Sequence, residues 1–381
     1  MQNNAFICGA PRSGTTLLAN LLDGHPDIFM LPWETHILQY WNFHKNNNSL
    51  ERFFMRDYLN TIDVAVFINK VAREQQDKAI HSTYGVKDYF KFKLKNRDAF
   101  IKQYKSTIKD NCSGITLKII YEALFNALLQ FENNKEKLVI EKRPLDNEMC
   151  AISLHETFPN AKFVHIIRDP RTRYISAKMR RVYRKLGIFP KWGNRFNDKD
   201  FSTFHSEISM VSLELARLNK EIIGEKYHIV KYEELLMNPE KEIKKIAHHL
   251  CVEYNDTLLQ QTSNNKEQVA MSSLERGMSS GIRDNIDTRL RTFYRQTSRL
   301  ERMILSFFTW EISEYYQYYS EPVESIRLKD IFLPLKYENP KHYLKNRMYM
   351  LQNIRGNSST VKNKHFHDIL NKFDQGIRIQ G

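Results

Sequence analysis

The chain is predicted to be an α/β protein, a central parallel sheet flanked by helices. Three observations predict it. Short apolar runs of strand length, at residues 5–8, 137–141, 162–167 and 227–231, are separated by stretches with apolar residues at helical spacing. That alternation belongs to parallel sheets, whose crossovers are helices. The residues with chemistry to offer (Gly9 to Thr16, Lys142, Arg168 and Tyr232) each follow the end of one such run. Ligands of open parallel sheets gather at the carboxyl ends of the strands, so these positions are expected to share one rim.

The first element decides most of the reading. The apolar run 5–8 is broken by Gly9, Ala10 and Pro11, and Ser13-Gly14-Thr15-Thr16 then opens a helix carrying Leu17, Leu18, Leu21 and Leu22. A strand, a tight loop and a helix N-terminus direct free backbone N–H groups and the positive end of a helix dipole at one spot, which suits an anion. Gly14 lets a phosphate approach the backbone closely, and Thr15 and Thr16 add hydroxyl donors. The loop is P-loop-like but not a Walker A loop. The lysine that loop needs is replaced by Thr15, and the positive charge sits earlier, at Arg12. This argues against a magnesium nucleoside triphosphate and for a different phosphate-bearing ligand. An ordinary strand–turn–helix, with Arg12 a surface charge, is the plainer alternative.

Asp23-Gly24-His25-Pro26-Asp27 is a turn, and residues 28–32 lead into Trp33-Glu34-Thr35-His36. Residues 37–110 are helical and irregular, and 115–131 is apolar at helical spacing. The second strand ends in Lys142-Arg143-Pro144 and is followed by a helix over 145–158. The third runs into Arg168-Asp169-Pro170-Arg171, where Asp169 suits an N-cap and Pro170 the first helical position. That helix carries Ser176 and Arg180 beside Arg171, Arg173, Lys178, Arg181, Arg184 and Lys185, a basic face of the kind that usually meets solvent. The fourth strand leads to Tyr232-Glu233-Glu234-Leu235, and Asn238-Pro239 starts another helix. A polar loop over 262–290 precedes an aromatic-rich helix over 300–319. The expected organisation is one domain over 1–320, with a helical insertion near 37–135, and a basic C-terminal extension over 321–381.

Composition narrows the ligands. Of 381 residues 41% are hydrophobic, enough for a sizeable core, and the net charge of +14 favours anionic partners. The four cysteines are widely spaced without a C-x-x-C pair, so neither a zinc site nor a disulfide framework is expected, and a reducing compartment follows. The N-terminus lacks a charged leader, and no apolar run reaches the ~18 residues of a membrane span. A cytoplasmic protein is the expectation.

With these residues in view, the chain resembles the sulfotransferases that use 3'-phosphoadenosine-5'-phosphosulfate (PAPS). The resemblance covers roughly residues 1–310 and rests on PRSGTT at 11–16, IIRDPR at 166–171 with Ser176, and KYEELLMNP at 231–239. Within the family it is similar to the branch of tyrosylprotein sulfotransferases and their bacterial relatives, through DGHPDIFMLPWET, EKRP at 141–144 and SSLER at 272–276. The resemblance implies that Arg12, Ser13, Gly14, Thr15 and Thr16 hold the 5'-phosphosulfate. Arg168 and Ser176 would take the 3'-phosphate, with Arg180, Tyr232 and Ser272 completing the donor site. Glu34 would be the catalytic base and Lys142 a contact to the sulfuryl group. Three departures stand out. Arg143 replaces a usual Thr or Asp, the segment before Glu34 is one residue longer, and the basic pair that holds acidic peptides falls at His36 and Tyr40.

Sulfuryl transfer is an in-line displacement in which the acceptor oxygen loses a proton as it attacks. Glu34 is the candidate base, with His36 and His25 as alternatives; His25 before Pro26 more often fixes a turn. Arg12 and Lys142 would stabilise the charge growing on the leaving 3',5'-bisphosphate, and no metal is called for. The expected acceptor is a hydroxyl on a carbohydrate, glycolipid or small metabolite, with tyrosine sulfation of a protein or peptide as the alternative. Nucleic acid is not expected as a partner. A reading of another class is a non-catalytic nucleotide- or membrane-binding module on a degenerate P-loop scaffold, whose basic tail is a candidate for peripheral membrane contact. A nucleotide kinase is a further rival, against which the missing Walker lysine counts.

Overall fold

The computed structural model describes residues 4–31, 34, 37–38, 116–131, 137–185, 201–263, 266–267 and 286–319. Its centre is strand β1, Asn4–Cys8, buried along its whole length. Strand β2 is Ile28–Met30, β3 is Leu138–Lys142, β4 is Lys162–Ile167 and β5 is Tyr227–Lys231. They form one sheet in the order β2-β3-β1-β4-β5, and every pairing in it is parallel. β1 lies between β3 and β4, so the connections leaving it diverge there, and a crevice opens at its carboxyl end. The α/β parallel architecture is the one the sequence predicts.

Alternation along the strands separates two cores. Ala5 and Ile7 of β1, Val164 and Ile166 of β4 and Val230 of β5 face the helices α1 (Thr15–Leu22), α7 (Tyr232–Met237) and α8 (Pro239–Leu250), among Leu18, Leu21, Leu22, Leu235, Ile243 and Ile246. The intervening residues Phe6, Phe163 and Tyr227 stack across three strands on the opposite face, with ring centroids 5.5 and 5.6 Å apart. Tyr121 of α2 (Leu117–Phe131) meets Phe6 edge-on, so the core reaches back into the stretch expected to be an insertion.

The expected helix over 145–158 is two: α3 (Asp146–Met149) and α4 (Ala151–Thr157), separated at Cys150. Leu145 has a left-handed φ of 74° and its N–H meets the Gly9 carbonyl at 3.3 Å. α3 is thereby committed to the first loop and cannot run straight into α4. Helix α5 is Pro170–Lys185, α9 is Ile286–Gln296 and α10 is Arg299–Tyr315. Ser298 and Glu301 form a capping box at the start of α10.

The expected loop over 262–290 contains a short antiparallel pair, Thr262–Ser263 with Lys266–Glu267, and the start of α9, and two further elements differ from expectation by being present. β2 is a three-residue edge strand with too short a run to show in the pattern. α6, Phe201–Ile223, is the longest helix among those described, yet its first half is rich in serine, threonine and histidine. Those small polar residues are buried: Ser206 and Ser209 return their hydroxyls to the carbonyls one turn back, at 2.7 and 3.0 Å. Their size lets α6 lie close beneath the first loop, and α10 then packs on α6 through Met210, Leu215, Leu300, Ile304 and Phe307. The expected C-terminal extension over 321–381 and most of 37–135 lie outside the described residues.

Candidate active site

The loop between β1 and α1 is built so that its carbonyls turn away from the crevice. Arg173 Nη1 donates to the Pro11 carbonyl at 2.7 Å, and Arg168 Nη1 to the Arg12 carbonyl at 3.1 Å. At the start of the loop the Gly9 N–H donates to a Glu148 carboxylate oxygen, and the Ala10 N–H to Ser212 Oγ at 3.0 Å. α1 begins after Gly14 without a side-chain cap, so its first turn keeps its N–H groups pointed into the crevice. The carbonyls of Pro11 and Arg12 are thus tied to the protein, and the N–H groups left for a ligand are those of the first turn of α1.

Gly14 is required sterically. Its φ is 103°, and a Cβ there would lie 2.5 Å from Tyr232 Cδ2. The Tyr232 ring also meets Arg168, whose guanidinium carbon sits 3.9 Å from the ring centroid. Tyr232 therefore holds the loop glycine and the β4-end arginine against one another, a cation–π contact fixing the guanidinium plane. Arg12 has a left-handed φ of 77° and reaches Ser176 Oγ of α5 through Nε at 3.3 Å and Nη2 at 3.2 Å. Arg168 Nε donates to Thr172 Oγ1 at 2.9 Å. Two guanidinium groups, Ser176 and the start of α1 thus lie along one rim.

The charge that a Walker loop carries on its lysine arrives from the neighbouring strand. Lys142, the last residue of β3, lies 3.4 Å from Thr16 Oγ1 and 3.0 Å from Glu34 Oε1. The other Glu34 oxygen accepts from Arg143 Nη1 at 2.8 Å, and Arg143 Nε is bonded to Asp146 Oδ2 at 2.7 Å. Glu34 is a third exposed, so its carboxylate stands at the rim between two cations and beside the helix start. Sequence reasoning noted Arg143 only as a departure. Its partner Glu34 is far off in sequence, and no local pattern announces the pair.

The remaining sequence candidates divide. Ser13 and Thr15 are buried in the loop wall, and Thr16 is half-buried at its mouth. Arg180 is half-buried one turn beyond Ser176 on α5, and among the described residues it makes no hydrogen bond to the loop. Ser272 and His36 lie outside the described residues. His25 fixes a turn: it is 2% exposed, Nδ1 accepts the Asp27 N–H at 3.1 Å and Nε2 meets the Glu253 carbonyl at 2.7 Å. Asp169 caps α5 by accepting the Arg171 N–H at 2.8 Å, and pairs with the Arg171 guanidinium.

Arg173 corrects the solvated basic face. It is 1% exposed, bonded to Pro11, Ser209 Oγ and the His205 carbonyl, and burial followed by the nearby Arg168 charge pushes its pKa down to about 9. A basic side chain in a charge-rich helix reads as surface unless its carbonyl partners, from a loop and from α6, are known. Beneath it runs a buried polar chain: Ser212 Oγ meets His165 Nε2 at 3.1 Å, and His165 Nδ1 meets the Tyr227 hydroxyl at 2.7 Å. Burial holds His165 neutral, with its pKa down near 3. Among the described residues no cluster of His, Cys, Asp and Glu is grouped to hold a metal ion, and no helix is long and apolar enough to cross a membrane.

Comparison with known proteins follows the same residues. The model of the Sulfotransferase family matches residues 4–256. A protein-tyrosine sulfotransferase of Drosophila melanogaster is 24% identical over 285 residues, covering 71% of this chain and 43% of its own. The omega-hydroxy-beta-dihydromenaquinone-9 sulfotransferase Stf3 of Mycobacterium tuberculosis is 26% identical over 266 residues, covering 64% of this chain and 62% of its own. The chain thus spans about half the length of such relatives. Among solved structures, the sulfotransferase domain of the Synechococcus PCC 7002 olefin synthase superposes with a TM-score of 0.53 at 18% identity, over 84% of this chain and 96% of that one. A sulfotransferase domain from the curacin biosynthetic pathway gives 0.50 at 17%, over 84% and 99%. Both share the fold.

Proposed function

The chain belongs to the sulfotransferase family, and we propose that it moves a sulfuryl group from PAPS to an acceptor hydroxyl. The observation that supports this most directly is the pairing of two anion sites on one rim. One is the start of α1 with Lys142; the other is Arg168, and Arg12 bridges them, its side chain on Ser176 and its carbonyl on Arg168. A donor with a 5'-phosphosulfate and a separate 3'-phosphate needs two such sites, whereas a nucleoside triphosphate needs one continuous cradle and a Walker lysine.

In this reading the acceptor oxygen attacks sulfur while Glu34 takes its proton, and the bond from sulfur to the bridging phosphate oxygen breaks. The negative charge leaves with adenosine 3',5'-bisphosphate, where Arg12, Lys142 and the N–H groups of α1 receive it. A phenol and a terminal alcohol are both hydroxyls, and the names of the fly and mycobacterial relatives carry one each, protein-tyrosine and omega-hydroxy. The acceptor we infer is a non-protein hydroxyl, on a carbohydrate, glycolipid or small metabolite. The motif positions that would hold an acidic peptide are His36 and Tyr40 rather than a basic pair. Tyrosine in a protein is the second reading, favoured by the fly relative.

Calorimetric titration tests the donor. Adenosine 3',5'-bisphosphate is expected to bind at least ~100-fold more tightly than ATP with magnesium, about 2.7 kcal/mol apart. Preference for ATP with magnesium would turn the reading to a kinase, and binding of neither to an inert scaffold. A second prediction concerns the base. Arg143→Thr is expected to lower turnover about tenfold by releasing one side of Glu34, with bisphosphate affinity kept. Turnover equal to wild type would show that Lys142 alone aims the carboxylate.

A further inference from the structure

Two carboxylates buried behind the site have no part in the chemistry above. Glu148 of α3 is fully buried; one oxygen accepts the Gly9 N–H and, at 3.3 Å, the Leu145 N–H. Glu233 of α7 is 9% exposed, and one oxygen accepts the Asp169 N–H at 3.1 Å and the Thr172 hydroxyl at 3.4 Å. Gly9 opens the loop that carries Arg12, and Asp169 directly follows Arg168. Each of the two anion-binding loops is therefore held from behind by one carboxylate. In each the second oxygen, Glu148 Oε1 and Glu233 Oε2, is buried without a hydrogen-bond partner among the described residues.

We propose that Glu148 and Glu233 are positioning residues for the two donor-binding loops, and that they take up protons as the donor's anionic groups fill the site. The inference rests on the PAPS reading. In the empty site each carboxylate lies near one cation, buried Arg173 or rim Arg168. Arg173 lies in the field of Glu148, and Arg168 in that of Glu233. A polyanion bound to Arg12, Arg168 and Lys142 draws Arg168 away from Glu233, and its own charge repels both carboxylates behind the loops. The unpartnered oxygen of each is where the proton goes, so the oxygen that accepts the loop N–H is left in place.

The surroundings favour this direction. Around Glu148 stand Cys8 of β1, Asp146 of α3 and Tyr227 of β5, with Glu141 and Cys150 near Cys8, groups that are acidic or neutral. Ser212 of α6 adds a hydroxyl, and Arg173 of α5 lies within the field of Glu148. Glu233 faces Arg168, Asp169 and the buried Tyr318 hydroxyl. Burial first, then the neighbouring aspartates, pushes each carboxyl up to about 7, against the hydrogen bonds and, for Glu233, Arg168. Both are poised to gain a proton at neutral pH. Since the bound state holds more protons, donor affinity falls as pH rises through about 7 and is insensitive to these groups below about 5, where both are already protonated.

The test is calorimetric titration of the full chain with adenosine 3',5'-bisphosphate at pH 7, repeated in buffers of different ionisation heat. Wild type is expected to take up about one proton per ligand, roughly half from each carboxylate. Glu148→Gln and Glu233→Gln are each expected to bind the ligand and lose about half of that uptake; either variant suffices if the other fails to fold. The ligand's phosphates, bound to arginines, release protons instead, so they cannot mimic the result. Binding with no uptake, or with wild-type uptake in a Gln variant, overturns the proposal and leaves the donor reading intact. No binding to wild type overturns the donor reading, and this one with it.

Discussion

Arg168→Ala is expected to weaken binding of adenosine 3',5'-bisphosphate by about 100-fold, the largest loss of affinity predicted from a single side chain. A guanidinium that offers two N–H groups to one phosphate makes charge-assisted bonds of about 1.5–3 kcal/mol each. Arg168 is prepared for it: Nε is held by Thr172, the plane lies on Tyr232, and Nη1 binds the Arg12 carbonyl. Little freedom is left to lose on binding. The same Nη1 contact ties the two anion sites together, so alanine also loosens the loop that carries Arg12. Arg168→Lys separates the two effects. It restores charge without the fork and is expected to recover only a small part of the affinity. Unchanged binding in Arg168→Ala would place the 3'-phosphate elsewhere and remove the main support for two separate anion sites.

The parts of this site that were legible in the sequence are local ones. Strands β1, β3, β4 and β5 show as runs of Val, Ile and Phe because both faces of a parallel sheet are buried. The loop 9–16 shows because glycine, proline and hydroxyl residues cluster where a strand must become a helix. What was not legible is what depends on distance along the chain. The Glu148 contact to Gly9 spans 139 residues, and that of Arg173 to Pro11 spans 162. Glu148 sits in a segment that reads as ordinary helix, and Arg173 in one that reads as a wet basic surface. α6 was hidden for another reason: a helix that must lie against a loop uses serines in place of leucines, which erases the periodic apolar signal. The same closeness that makes Ser212 useful to Ala10 made the helix hard to see.

Glu34→Gln is expected to reduce sulfuryl transfer by about a thousandfold while bisphosphate affinity stays within about twofold. The amide matches the carboxylate in size and keeps an oxygen for Lys142 or Arg143, so the rim retains its shape. It cannot accept the acceptor's proton. Lys142 and Arg143 bear on the chemistry in opposite senses. Two cations at 3.0 and 2.8 Å keep Glu34 aimed, as a base must be, but they also occupy the oxygens that must take the proton. A donor drawing Lys142 toward its sulfuryl oxygens would relieve half of that restraint at the moment the base is needed. The transition state, with charge moving onto the leaving phosphate, would draw it further. The variant therefore belongs in a turnover assay with labelled donor and whichever of a glycolipid, a long-chain alcohol or a tyrosine peptide wild type sulfates. A loss confined to turnover assigns the proton to Glu34. Normal turnover would pass the role to another group, His36 being the alternative two residues along the chain, and leave Glu34 as a tether for Lys142.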